Sequence, residues 1–325
     1  MPKILHTYRY TGRPWEILQS VVPEGYTIKT LDTPTYEQLV KEAEDADYFL
    51  VSGRLPIDKG VLDAAKNLKM IQRTGVGTEM LDKKEIKRRG IPVYVNAGVN
   101  ARSVAEHTFA LMMACMKRIP AIDKQVRNGI WKKQETGTSC FELYGKTVGL
   151  VGMGAIGKQV AEYVHAFGAK IVYTDLYQLP AELEEKYNAT YIPALEELLP
   201  QVDILSLHCP LNSENKEMLN EQTLAMMKPN AVIVNTARGK LIDETALYNA
   251  LKQGKIRAAA LDVHYHEPIE IENHPLSTLD NVILTPHIGG LSFETFHTMM
   301  KEAIENIVAF DKGHHAEIEN RLLKI

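Results

Sequence analysis

The stretch from Thr147 to Asp175 restricts what this chain can fold into more than any other. It runs Thr147-Val148-Gly149-Leu150-Val151, then Gly152-Met153-Gly154-Ala155-Ile156-Gly157, and ends, past Phe167 and Gly168, in Lys170-Ile171-Val172-Tyr173-Thr174-Asp175. The first run is short, β-branched and apolar, as suits a strand buried on both faces. Behind the glycines, Ile156, Val160, Ala161 and Val164 recur at helical spacing, which gives a helix one buried face. Gly168 can close that helix, and the second apolar run stops at an acid. Strand, glycine turn, helix, strand and acid together make a dinucleotide-binding unit. Gly152 would permit the tight turn, Gly154 the approach of a pyrophosphate, and Gly157 close packing of helix on strand. The phosphates would rest on the N–H groups of the helix N-terminus, around Ala155 and Ile156. Asp175 would accept bonds from both hydroxyls of an adenosine ribose. Two alternatives stand beside this: a glycine turn without a ligand, and an adenosyl-methionine methyltransferase, which also uses glycines followed by an acid.

A length of 325 residues suggests two domains, each able to bury its own core. Net charge is −4, from 37 basic and 41 acidic residues with no long run of either sign. That argues against nucleic acid or an anionic membrane as the main partner. The N-terminus Met1-Pro2-Lys3-Ile4-Leu5-His6 has no signal-peptide pattern. The nearest thing to a membrane span, Phe109 to Met116, is far short of the roughly 18 apolar residues a span needs. Cys115, Cys140 and Cys209 form no CxxC pair, which suits a reducing cytoplasm and argues against a thiolate zinc site. His264, His266, His274 and His287 lack any repeated ligand spacing, so no metal site is expected.

Along residues 1 to 99, short apolar strands alternate with amphipathic helices. Strands are expected at Lys3–Thr7, Tyr26–Leu31, Tyr48–Val51, Lys69–Arg73 and Pro92–Asn96, with a helix from about Glu79 to Arg89 before the last. This alternation means a parallel α/β sheet. Ser103-Val104-Ala105-Glu106 reads as a capping box opening an unusually apolar, buried helix through Thr108, Phe109, Leu111, Met112 and Met116. Asn128 to Ser139, with Trp131, reads as an irregular arm. After Asp175, further strands are expected at Val202–Leu207, Ala231–Asn235, Arg257–Val263 and Asn281–Leu284, and a long helix from about Ser292 to Phe310.

Four motifs in this order, Gly152 to Gly157, Asn235-Thr236-Ala237-Arg238-Gly239, Leu261-Asp262-Val263 through Glu267-Pro268, and Thr285-Pro286-His287-Ile288-Gly289-Gly290, carry a resemblance. The chain resembles the D-isomer-specific 2-hydroxyacid dehydrogenase family over nearly its whole length. The residues themselves suit that chemistry. Reducing a 2-keto acid needs a hydride donor, a cation for the carboxylate and carbonyl, and a proton donor for the developing alkoxide. Arg238, leaving a buried strand, has the planar fork of donors that fits a carboxylate. His287 can give and take a proton, and a carboxylate beside it, with Glu267 the candidate, favours its charged form. The bland readings are a surface ion pair for Arg238, a loop end for Glu267 and a hydrogen-bonded turn residue for His287. Together with the glycine turn the functional reading prevails.

The resemblance implies the same three roles for Arg238, Glu267 and His287. It also implies that Cys209-Pro210 borders the adenine, and that Thr108, Thr236, Ala237, Asp262, His287 and Gly290 line the nicotinamide side. Val76 and Gly77, with Gly53 and Arg54, would meet the substrate carboxylate. NAD is expected as the cofactor rather than NADP, because Asp175 would repel a 2′-phosphate and Leu176, Tyr177 and Gln178 supply no arginine to receive one. The expected architecture is α/β: a Rossmann-type NAD-binding domain (100–289) inserted into a smaller flavodoxin-like substrate domain (1–99 and 290–325). The expected protein is a cytoplasmic homodimer, paired through the Asn100–Ser139 region and acting on a 2-keto or 2-hydroxy acid. An NAD(H)-sensing scaffold of the same fold, corepressor-like, is the alternative function.

Overall fold

Apolar runs too short for helices and bounded by turn residues become strands buried on both faces, and these assemble into two parallel sheets. The computed structural model describes every residue except Arg54, and its contacts divide into two compact units, Met1–Asn100 with Ser292–Ile325, and Ala101–Leu291.

The first unit holds β1 (Lys3–His6), β2 (Thr27–Thr30), β3 (Tyr48–Val51), β4 (Met70–Arg73) and β5 (Val93–Tyr94) in the order β2-β1-β3-β4-β5. Every pairing is parallel, and the order is that of flavodoxin-like sheets. Helices α1 (Arg13–Ser20), α2 (Tyr36–Ala43), α3 (Lys59–Ala64) and α4 (Lys83–Arg89) alternate with the strands. Thr35, Asp58 and Asp82 cap the last three by accepting from the N–H of Gln38, Val61 and Glu85. The cap at Asp82 is why α4 starts at Lys83 and not near Glu79. One face of the sheet packs Leu5, Phe49 and Ile71 against Leu39 and Val61. The other packs Ile4, Leu50 and Met70 against Met300, Ala303 and Ile307 of the long helix Phe293–Asp311.

The second unit begins with α5 (Ala101–Lys117), α6 (Ile119–Arg127) and α7 (Lys133–Gly137). Then come β6 (Thr147–Val151), α8 (Ala155–Ala166), β7 (Lys170–Thr174), α9 (Ala181–Tyr187), β8 (Ala189–Tyr191), α10 (Leu195–Leu198) and β9 (Ile204–Leu207). The unit closes with α11 (Glu221–Ala225), β10 (Val232–Asn235), α12 (Glu244–Lys252), β11 (Ala258–Leu261) and β12 (Val282–Leu284). The sheet order is β12-β11-β10-β9-β6-β7-β8. Read from β8, this is the doubly wound dinucleotide-binding order with one added strand.

Three local expectations change. Helix α5 starts two residues before Ser103, so Ser103 is no cap; its Oγ donates to the Gly289 carbonyl at 2.7 Å. The arm at Asn128–Ser139 carries one short helix, α7, and ahead of it Arg118 turns the chain at φ 54 into α6. The short strand β8 follows α9 after a left-handed turn at Asn188, where the sequence has too brief an apolar run to mark it. No helix among the described residues is long and apolar enough to cross a membrane.

Candidate active site

The strands of the larger sheet end in register. Val151 lies beside Thr174 and Leu207, Asn235 beside Leu207 and Leu261, and Leu261 beside Leu284. The residues that follow each strand are therefore neighbours along one edge, and open α/β sheets bind ligands at this edge. Six of the turns there contain residues singled out from the sequence.

The glycine turn after β6 is shaped as a phosphate cradle. Gly152 has φ 99, and a Cβ there would stand 2.9 Å from the backbone nitrogen of Cys209, so no other residue fits. A Cβ on Gly157 would run into the Gly152 carbonyl, and this contact brings α8 tight against β6. Gly154 N-caps α8 with no side chain, and the space where its Cβ would stand is open. The first-turn N–H groups thus face an accessible hollow at the positive end of the helix dipole. Asp175 closes the cradle from β7, its oxygens accepting from Met153 N at 2.6 Å and Leu176 N at 2.7 Å. A carboxylate has lone pairs left over for ribose hydroxyls. These residues fit a dinucleotide. Cys209, which adjoins Gly152, is partly buried, and burial pushes its thiol up to about 11, which removes it as a nucleophile.

Past β10, Asn235 shapes the turn that holds Arg238. Its Oδ1 accepts from Ala237 N at 3.0 Å and its Nδ2 donates to Arg238 O at 2.9 Å. Arg238 is half-buried and its Nη1 donates to Ala237 O at 2.7 Å. Thr236 meets Thr108 of α5, hydroxyl to hydroxyl, at 2.8 Å, and Thr108 is buried.

Glu267 and His287 come together. Glu267 Oε2 lies 2.8 Å from His287 Nδ1, and its Oε1 accepts from His264 N at 3.0 Å. A carboxylate only accepts, so the Nδ1 of His287 carries the proton of this bond. Its Nε2 is left for other work on a ring whose side chain is 43% exposed. His287 sits at φ 58, a left-handed conformation that costs a non-glycine residue about 1–2 kcal/mol. What holds it there is Asp262, whose part the motifs do not reveal. Asp262 is 1% exposed. Its carboxylate accepts from Ile288 N (3.0 Å), Gly289 N (2.8 Å) and Thr285 Oγ1 (2.6 Å), with His107 Nε2 at 3.4 Å. Burial opposes its charge, but these partners outweigh burial and hold its pKa at about 2. Asp262 therefore faces the chain and shapes the histidine loop from beneath. Two of the other histidines are engaged separately: His264 Nε2 lies 2.9 Å from Thr285 O and His274 3.4 Å from Glu244. Among the described residues, no group of three His, Cys, Asp or Glu side chains is gathered as metal ligands.

In the smaller unit, Gly53 follows β3 and Val76 and Gly77 follow β4. Val51 pairs with Arg73, so the two turns lie side by side at the C-terminal edge of that sheet. Arg54 lies outside the described residues.

A doubly wound domain with such a cradle is a dinucleotide-binding domain by class. Residues 109–289 match the family model for the D-isomer specific 2-hydroxyacid dehydrogenase NAD binding domain. The chain is 39% identical over 282 residues to a glyoxylate reductase of Korarchaeum cryptofilum, covering 86% of this chain and 84% of that one. It is 40% identical over 284 residues to a D-3-phosphoglycerate dehydrogenase of Methanocaldococcus jannaschii, covering 87% of this chain and 53% of that longer one. Among solved structures, D-lactate dehydrogenase from Aquifex aeolicus, complexed with NAD and lactic acid, superposes with a TM-score of 0.85 at 29% identity, covering 99% of this chain and 98% of that one. The chain belongs to the D-isomer-specific 2-hydroxyacid dehydrogenase family and is an NAD-dependent oxidoreductase acting on the CH–OH group of 2-hydroxy acids. The methyltransferase alternative falls with this match.

Proposed function

We propose that this protein interconverts a small 2-keto acid and its D-2-hydroxy acid, with Arg238, Glu267 and His287 as the working side chains. The observation that carries the reading is the 2.8 Å contact between Glu267 and His287 Nδ1, on the sheet edge that also bears the glycine cradle. Gly152, Gly154, Ala155, Ile156, Gly157 and Asp175 hold the dinucleotide, whose nicotinamide supplies or accepts the hydride when bound. Cys209 and Pro210 border the adenine side, and Thr108, Thr236, Ala237 and Gly290 the nicotinamide side, with Asp262 acting beneath them. Arg238 binds the substrate carboxylate and polarises its carbonyl through paired donors. His287 Nε2 hands a proton to the developing alkoxide in reduction and takes it back in oxidation. Glu267 accepts the Nδ1–H throughout, which orients the ring and stabilises it when both nitrogens are protonated. Backbone N–H groups of Gly53, Val76 and Gly77 receive the substrate carboxylate.

The protein works in the cytoplasm as a homodimer. The pairing reading is supported by the Asn100–Ser139 region, where Ile119, Val126, Ile130 and Trp131 present apolar side chains to solvent, Trp131 at 81% exposure. Single apolar residues are ordinary on a surface, but a cluster on one segment marks an interaction face. A panel of 2-keto acids with NADH, led by glyoxylate, pyruvate and 3-phosphohydroxypyruvate, tests the reaction. Tight NADH binding with no turnover of any of them would favour a sensing scaffold instead.

A further inference from the structure

Behind the Ser52–Gly53 turn lies a buried polar chain with no place in the family motifs. His6, at the end of β1, is wholly buried, and burial lowers its pKa to about 3, so the imidazole is neutral and has one N–H. Its Nδ1 lies 3.3 Å from Thr30 Oγ1, and its Nε2 is bonded to Ser52 Oγ. Thr30 Oγ1 gives its own proton to the Tyr8 carbonyl, which can only accept. Toward His6, the Thr30 hydroxyl must therefore be the acceptor. It follows that Nδ1 carries the imidazole proton, that Nε2 is bare, and that Ser52 donates its hydroxyl proton to Nε2. The ring of Tyr10 lies 4.1 Å from that of His6, and burial raises the pKa of its phenol. The chain of bonds has one direction, from Ser52 to His6, and from His6 through Thr30 to Tyr8.

The same turn is gripped on its other sides. Thr7 Oγ1 donates to Ser52 O at 3.4 Å and Arg73 Nη1 donates to Val51 O at 3.2 Å. Gly53 stands at φ 82, and a Cβ there would come 2.7 Å from Cδ2 of Tyr8. Ser52 is buried and has spent its hydroxyl proton inward, while Gly53 is exposed.

We propose that His6, as its Nδ1–H tautomer, is a positioning residue that locks Ser52 and so sets the Ser52–Gly53 turn to receive the substrate carboxylate. This rests on the reading above that the turn takes the carboxylate. His6 touches no reacting atom; it acts through Ser52, and its removal loosens substrate binding without touching the chemical step.

The test uses steady-state kinetics of the full chain with glyoxylate at saturating NADH. His6→Phe fills the volume but has no nitrogen. It is expected to raise KM for glyoxylate about tenfold, the worth of one buried hydrogen bond, with kcat and KM for NADH near parental. Ser52→Ala should do the same, and the double variant no more, since the two share one interaction. His6→Gln, which can place a carbonyl oxygen where Nε2 stands, should recover part of the loss. Nitrogen-15 NMR of labelled histidine should find His6 protonated at Nδ1 only. An unchanged KM in a His6→Phe protein that melts like the parent, or a proton on Nε2, overturns the proposal. If His6→Phe does not fold, Ser52→Ala decides by the same criterion. Gly53→Ala separates the two failures. If it raises KM while His6→Phe does not, only His6 is wrong; if neither does, the turn is not the carboxylate site.

Discussion

The two sheets expose opposite kinds of chemistry along their C-terminal edges. The larger presents side chains: Asp175, Arg238, Glu267 and His287 each follow a strand or lie in the loop after one. On the reading proposed above, the smaller works through backbone, at Gly53, Val76 and Gly77; the Val76 side chain is exposed, while His6 and Ser52 lie buried behind the turn and Arg73 is half-buried. Even the histidines differ: His287 is 43% exposed beside a carboxylate, whereas His6 is enclosed between two hydroxyls. A side-chain edge needs particular residue types, whereas a backbone edge needs only a turn held in one shape. The two should therefore respond differently to substitution.

The largest effect is expected at His287. His287→Ala should lower kcat with glyoxylate by about 10²- to 10⁴-fold, the usual worth of acid–base help, while NADH binding measured by fluorescence stays near parental. Turnover close to normal would remove His287 from the mechanism and leave the larger edge with only a binding role. Next comes Arg238→Met, which deletes charged hydrogen bonds worth about 1.5–3 kcal/mol. It should lower kcat/KM roughly 10- to 150-fold, and a parental value would move carboxylate recognition wholly to the smaller edge.

The smaller edge answers to acid. His6 binds a proton at about 3 when folded, against 6.5 for a solvated histidine. Between these values the unfolded chain holds a proton that the folded chain lacks, so its contribution is complete above about pH 6.5 and is lost as pH falls. The slope is about 1.4 kcal/mol per pH unit for one such group. Denaturant midpoints taken from pH 7 to 4 should fall less steeply in His6→Gln than in the parent. Equal slopes would show that the imidazole is not held neutral.

The smallest effect is expected at Asp175. Asp175→Ala removes the charge that opposes a 2′-phosphate, and the ratio of kcat/KM for NADH over NADPH should narrow by about tenfold. An unchanged ratio would mean that the Met153 and Leu176 bonds, and not charge repulsion, are what this carboxylate contributes.

The motif residues of the larger edge were legible because each is a residue type whose chemistry is local. Gly152 has to adopt a positive φ, Gly157 must let a carbonyl come close, and a strand buried on both faces must be apolar throughout. Ser103 shows where local pattern misleads. Its capping-box spacing is genuine, but the helix starts earlier and the hydroxyl serves Gly289, a residue 186 positions away. Helices α6 and α7 and strand β8 were not legible, because short elements with weak periodicity are held by tertiary packing rather than by propensity.

By itself the sequence determined two parallel α/β sheets and the glycine turn, since these follow from periodicity and glycine sterics, and it put forward Arg238, Glu267 and His287 as the residues to test. Only the tertiary structure decided that Asp262 shapes the histidine loop from beneath and that His6 grips Ser52. Those contacts join residues 26 and 46 positions apart. Their direction depends on which partner has a proton left to give, and that is settled only when the atoms are brought together and water is excluded.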